Sequence, residues 1–134
     1  MRAEHLETPA ILINRPVFDS NMEKMARLLA PLKVALRPHY KSHKSTDIAH
    51  LQVRAGAKGI TCAKVAEAED LALAGIEDIL IANQITEKSR IARVAYLAKG
   101  CRITVCVDQS QNIRDLEQAA AVEGSTIHCL VEYE

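Results

Sequence analysis

The chain has 134 residues, 49% of them hydrophobic and 25% charged, with 17 basic residues balancing 17 acidic ones. That length suits one modest domain with a real core. Zero net charge gives no field to draw in nucleic acid or an anionic membrane, aromatics at 3% give no stacking platform for single strands, and no apolar run approaches a membrane span.

Met1 to His5 lead into ordinary sequence without a signal-peptide pattern, so the expected location is the cytoplasm. Cys62, Cys101, Cys106 and Cys129 form no C-x-x-C pair, and three of them lie in apolar, strand-like runs. Buried thiols of a reducing compartment are expected, not a disulfide framework or a zinc site. Ala10 to Ile13 read as a short leading strand. Asn14 is placed to cap a helix with Pro16 in its first turn, and Phe18, Met22, Met25 and Leu29 share one face as core until Pro31 ends it. A strand is expected from Val34 to His39, then a helix capped at Ser45 or Thr46 and closed by Gly56. Gly59 to Cys62 form the next strand, followed by a helix with Val65, Ala68 and Leu71 inward and Gly75 behind it. Ile79 to Ala82 make an apolar strand ending at Asn83. Thr86 is placed to cap a helix with Ile91, Val94 and Ala95 inward. Ile103 to Val107 form a strand ending at Asp108, and the next helix turns Ile113, Leu116 and Ala120 inward. Ile127 to Val131 are the last strand.

Strand starts near 34, 58, 79, 103 and 127 recur every 21 to 24 residues, the period of a βα unit, and their apolar runs suit strands covered on both faces. An open doubly wound sheet usually carries a glycine-rich phosphate loop, and this chain has neither G-x-G-x-x-G nor G-x-x-x-x-G-K-[ST]. The barrel alternative is favoured by polar residues at or just past the strand ends: Lys41, Thr61, Asn83, Asp108 and Glu132. In a (β/α)8 barrel that rim builds the active site. The expected fold is therefore a partial TIM barrel of about five parallel strands plus the leading strand. A full barrel takes about 250 residues, so residues 1–134 are read as the front part of one longer barrel domain, inactive alone.

Arg37-Pro38-His39-Tyr40-Lys41-Ser42-His43-Lys44 follows the apolar run Val34-Ala35-Leu36. Side chains alternate faces along a strand, so Arg37, His39 and Lys41 share a face if extension persists to Lys41. A lysine held there, partly desolvated and among other cations, meets the condition for an amine that forms a Schiff base with a carbonyl. A solvated basic loop is the plain alternative. His39 is open to two readings, a contact to a ring or substrate and a packed, hydrogen-bonded histidine. Arg37, deeper on that face, is read as a structural ion-pair partner or a cofactor contact. His43 and Lys44 belong at the surface or the helix start, and His5, His50 and His128 show no ligand spacing.

With this unit placed second in a βα series, the chain resembles the N-terminal part of pyridoxal-phosphate enzymes of the alanine racemase fold, within them the D-threonine aldolase and D-serine dehydratase branch. Thr8-Pro9-Ala10-Ile11-Leu12, Arg37 to Lys44, Gly59-Ile60-Thr61-Cys62, Glu67-Ala68, Ala74-Gly75-Ile76 with Asp78-Ile79, and Val107-Asp108 carry the likeness. The Lys-Ala-x-Ala-Tyr-Gly-His motif of alanine racemase proper is absent, since Ser42-His43-Lys44 follow Lys41. The resemblance implies a lyase acting on D-β-hydroxy amino acids. Lys41 would be its catalytic, cofactor-holding lysine, and His39, Arg37 and Asn83 would lie at the cofactor. It also implies a divalent metal whose ligands lie outside these residues, a small D-amino acid substrate, and a homodimer of the intact protein. A racemase or a non-catalytic pyridoxal-phosphate carrier of the same fold is the alternative. A phosphate or RNA binder built on Lys33, Arg37, Lys41 and Lys44 is disfavoured by the zero net charge and scarce aromatics.

Overall fold

A computed structural model describes residues 5–133. The expectation placed on Met1 to Glu4 lies outside the described residues. The chain divides after Val34 into two compact units.

In the first unit, helix α1 spans Arg15–Leu29 and a single 3-10 turn, Ala30–Leu32, follows it. Asn14 caps α1 by accepting the Val17 N–H at 3.2 Å, as its residue type predicts. The expected strand at Ala10 to Ile13 is absent. Those residues have no regular structure, and Ile11, Leu12 and Ile13 are exposed. An extended run becomes a strand only when its N–H and C=O groups find a partner. The expected core stripe of α1 is not core either: the helix buries none of its residues.

The second unit contains helices α2 (Thr46–Arg54), α3 (Val65–Leu73), α4 (Lys88–Leu97) and α5 (Ser110–Glu123), and strands β1 (Ile60–Cys62), β2 (Asp78–Gln84), β3 (Arg102–Val107) and β4 (Ile127–Val131). The strands form one parallel sheet in the order β1-β2-β3-β4, without reversal. Consecutive helices pack on one another, α2 on α3, α3 on α4 and α4 on α5. A single helical layer over sequentially ordered parallel strands is barrel geometry, built by right-handed crossovers.

Register explains the core. Ile60, Ile79, Ile103 and Ile127 stand side by side across the sheet, and Cys62, Ile81, Val105 and Cys129 form the next row on that face. Ile60, Cys62, Ile79, Ile81, Ile103 and Val105 are fully buried, in one cluster with Leu71, Val94 and Leu116 of the helices. Burying an aliphatic side chain of this size contributes about 1.5–3 kcal/mol, so these rows dominate the stability of the unit.

Three local expectations are corrected. The strand from Val34 to His39 reduces to one bridge, His39 beside Thr61, with backbone bonds from Lys58 N to Leu36 O (2.9 Å) and Thr61 N to Pro38 O (2.8 Å). The preceding rung would need an N–H on Pro38, and proline has none. Helix α4 starts after Glu87, which makes no side-chain cap bond, and Thr86 is not its cap. In α5 the buried residue of the first turn is Asn112, while Ile113 stays exposed. Asn112 Nδ2 donates to Ile85 O at 2.7 Å, so the helix turns its amide inward to satisfy a buried carbonyl. All four cysteines are free, but only Cys62 is buried, where burial pushes its thiol up to about 12, and Cys129 is exposed. No helix among the described residues is long and apolar enough to cross a membrane.

Candidate functional site

The basic motif runs alongside β1 and leaves it at the C-terminal end of the sheet. Extension stops at His39. Tyr40–Ser42 form a 3-10 turn whose N-cap is His39, with Nδ1 accepting the Lys41 N–H at 3.2 Å. Strand alternation therefore does not reach Lys41, and a turn, not a strand, presents this residue. Lys41 is exposed, whereas the neighbouring Tyr40 is buried and meets the His43 ring edge-on at 5.5 Å. One residue of the turn is thus fixed in the core and the next is delivered to the rim.

Register places His39 in a row with Thr61, Leu80, Thr104 and His128, on the sheet face opposite the isoleucine rows. Thr61 was expected on the rim. It sits instead in the middle of β1, buried, with Oγ1 donating to Arg37 O at 3.3 Å. His39 is half-buried, and its ring is held below the ordinary histidine value by burial first and then by the Lys41 charge, against an upward pull from Glu67. A neutral ring that accepts at Nδ1 carries its proton on Nε2.

Arg37 lies at the other end of the sheet. Its Nη2 donates to Asp78 Oδ2 at 2.8 Å, and Nη1 stands 2.8 Å from Oδ1. Asp78 is the first residue of β2. The pair reaches across Gly59, where a Cβ would stand 2.6 Å from Nη1 and 2.2 Å from Asp78 O, so only glycine fits. Of the two readings of Arg37, this geometry is that of the ion pair.

Asn83 is exposed near the end of β2. Its Nδ2 donates to Ala63 O at 3.4 Å and its Oδ1 accepts the Gln84 N–H at 3.0 Å. It ties the loop after β1 to the end of β2 and keeps one amide hydrogen uncommitted. Sequence reasoning missed Gln84. Its Nε2 donates to Glu132 Oε2 at 2.6 Å, bridging residues 48 apart in sequence. Cys106 lies on this rim with its thiol pushed up, chiefly by burial and then by Glu132. His43, expected at the surface or the helix start, is half-buried just ahead of the Ser45 cap of α2, with Nδ1 accepting the Ser45 N–H at 3.1 Å. Burial holds its ring below the ordinary histidine value. Among the described residues no group of three or more His, Cys, Asp or Glu side chains is arranged to hold a metal ion.

A parallel sheet in sequence order and one helical layer define a barrel-type α/β domain, and the lysine turn at its C-terminal rim marks the candidate site. The chain belongs to the alanine racemase N-terminal domain family, whose model matches residues 13–134. It is similar to a D-threonine aldolase from Arthrobacter sp., 39% identical over 127 residues that cover 95% of this chain and 34% of that protein. It is similar also to a 3-hydroxy-D-aspartate aldolase from Paracoccus denitrificans, 38% identical over 134 residues, 98% of this chain and 35% of that one. The crystal structure of D-threonine aldolase from Filomicrobium marinum superposes with a TM-score of 0.93 at 42% identity, over 96% of this chain and 35% of that one. The chain thus spans about a third of the length of these relatives.

Proposed function

We propose that the whole protein to which these residues belong is a pyridoxal-phosphate-dependent lyase of D-β-hydroxy amino acids, of the aldolase type, with the cofactor held on Lys41. The observation that carries the reading is the placement of Lys41: an exposed amine on a tight turn at the C-terminal rim, in a chain similar to two aldolases of this substrate class.

The residues present fit such a cofactor. An aldehyde needs an accessible primary amine, and Lys41 is accessible while the buried Tyr40 beside it fixes where it emerges. His39 offers a neutral ring whose Nδ1 is occupied by the Lys41 N–H, which leaves the Nε2 hydrogen to orient a ring or substrate group. Asn83 has one amide hydrogen to offer from the end of β2. Arg37 is committed to Asp78 and has no part in this proposal.

When bound, pyridoxal phosphate supplies an electron sink for charge that develops at the substrate Cα. The chain's own residues hold it and move protons. Lys41 would be the residue that holds the group and, when free, the amine available to carry a proton to or from the substrate Cα. In aldol cleavage the bond broken is Cα–Cβ and the β-hydroxyl must lose its proton. A divalent metal, in this proposal, would take its ligands from outside these residues.

The test is product analysis with D-threonine in the whole protein. Glycine with acetaldehyde supports the aldolase reading. Release of ammonia with a 2-oxo acid would replace it by a dehydratase, and L-allo-threonine alone, the product of inversion at Cα, would overturn it.

A further inference from the structure

A carboxylate outside the basic motif holds the Lys41 turn. Glu67, in the first turn of α3, is buried. Its Oε2 accepts the Ala63 N–H at 2.9 Å, and its Oε1 stands 3.8 Å from Lys44 Nζ. Lys44 closes the turn in a left-handed conformation, φ 48, with its N–H donating to Tyr40 O at 2.8 Å. One carboxylate therefore joins the loop after β1 to the last residue of the turn that carries Lys41.

A carboxylate at a helix N-terminus is ordinary, and an uncharged glutamine would accept the same Ala63 N–H. Neither fact accounts for a charge that is kept buried, which is costly unless it is paired and hydrogen-bonded. Lys44 is the cation that pairs with it among the described residues. A left-handed lysine is uncommon and persists only where its surroundings hold it. The Glu67 charge also acts on His39 and Tyr40, the two residues that precede Lys41.

We propose that Glu67 is a positioning residue of the site: it fixes the turn from Tyr40 to Lys44 and engages the Lys44 ammonium, so that Lys41 is the amine of the motif presented to an aldehyde-bearing cofactor. The proposal rests on the reading of Lys41 given above. It concerns selection between two lysines three positions apart, a choice that the motif alone does not make.

Glu67→Gln and Lys44→Met in the whole protein test it with two measurements. The first needs no cofactor: hydrogen exchange of the His43 and Lys44 amides, both bonded to Tyr40 O. Each variant should speed these amides about tenfold while the Ile79 and Ile103 amides of the sheet stay as they are. The second is the distribution of pyridoxal phosphate fixed by borohydride, read by peptide mapping. Glu67→Gln should move label from Lys41 toward Lys44, giving a mixture where the unmodified protein gives Lys41. Unchanged exchange at the turn together with an unchanged Lys41-to-Lys44 ratio in Glu67→Gln would overturn the proposal. If Glu67→Gln loosens the sheet amides as well, Lys44→Met decides, because Lys44 is exposed and its loss leaves the core intact. Label absent from Lys41 in the unmodified protein would remove the parent reading, and exchange at the turn would still decide whether Glu67 positions it.

Discussion

The sheet core and the Lys41 turn are stabilised by different means. In the core, rows of isoleucine and valine interlock with Leu71, Val94 and Leu116, and no single polar contact decides the outcome. In the turn, few apolar groups are available, and Tyr40 is the one buried anchor. The rest depends on particular bonds: His39 Nδ1 to the Lys41 N–H, Ser45 N–H to His43 Nδ1, and Glu67 between Ala63 and Lys44. Periodic apolar burial makes a scaffold that tolerates exchange of one aliphatic for another of equal volume. A turn held by individual hydrogen bonds does not have that tolerance, and its position can be altered without unfolding the domain.

Ile81→Ala should break the scaffold side most strongly. Ile81 is fully buried in the central strand β2, and its truncation should cost about 2–5 kcal/mol in denaturant unfolding. A loss below about 1 kcal/mol would mean that the isoleucine rows do not form the core. Asp78→Ala removes the partner of the half-buried Arg37 at the start of β2 and should cost about 2 kcal/mol, with Lys41 reactivity unchanged because the pair lies at the opposite end of the sheet. Altered Lys41 reactivity in that variant would place Arg37 back at the cofactor. Asn112→Ala deprives the Ile85 carbonyl of its donor and should cost about 1–2 kcal/mol, again as a stability loss without effect at the rim.

Acidification should sharpen the contrast from the other side. The rings of His39 and His43 both titrate below the ordinary value of 6.5, chiefly because burial penalises the charged form, with Lys41 acting further on His39. As pH falls through 6.5 the unfolded chain takes up protons that the folded turn resists. The contribution is therefore full above that value and declines below it. Exchange of the amides from Tyr40 to Lys44 should accelerate between about pH 7.5 and 5.5 relative to those of β2 and β3. His43→Gln should flatten that dependence. Equal acceleration of turn and sheet would show that neither ring is specific to the turn.

Much of this architecture was legible in the sequence, for reasons that also mark where legibility ended. Strands near 58, 79, 103 and 127 are apolar runs separated by helical periods, and β1 to β4 lie where those runs lie. The cap at Ser45, one of the two residues expected there, and the left-handed Gly56 (φ 101) that closes α2 follow from local residue chemistry alone. Pairing over distance was not legible. Nothing local to Arg37 names Asp78, 41 residues on, and nothing near Gln84 points to Glu132. Pro38 was visible, but its consequence for the ladder depends on which residue of β1 lies opposite. Lys41 was singled out through its motif, while the turn that carries it was missed because alternation was extended one residue pair too far. The fold and family are established at the level of the alanine racemase N-terminal domain.

The central claim, that Lys41 is the amine presented at the rim, is tested most directly by incubating the whole protein with pyridoxal phosphate, reducing with borohydride and mapping the modified peptide. The account predicts label on Lys41. Label on Lys44 or Lys33 with none on Lys41 would contradict it.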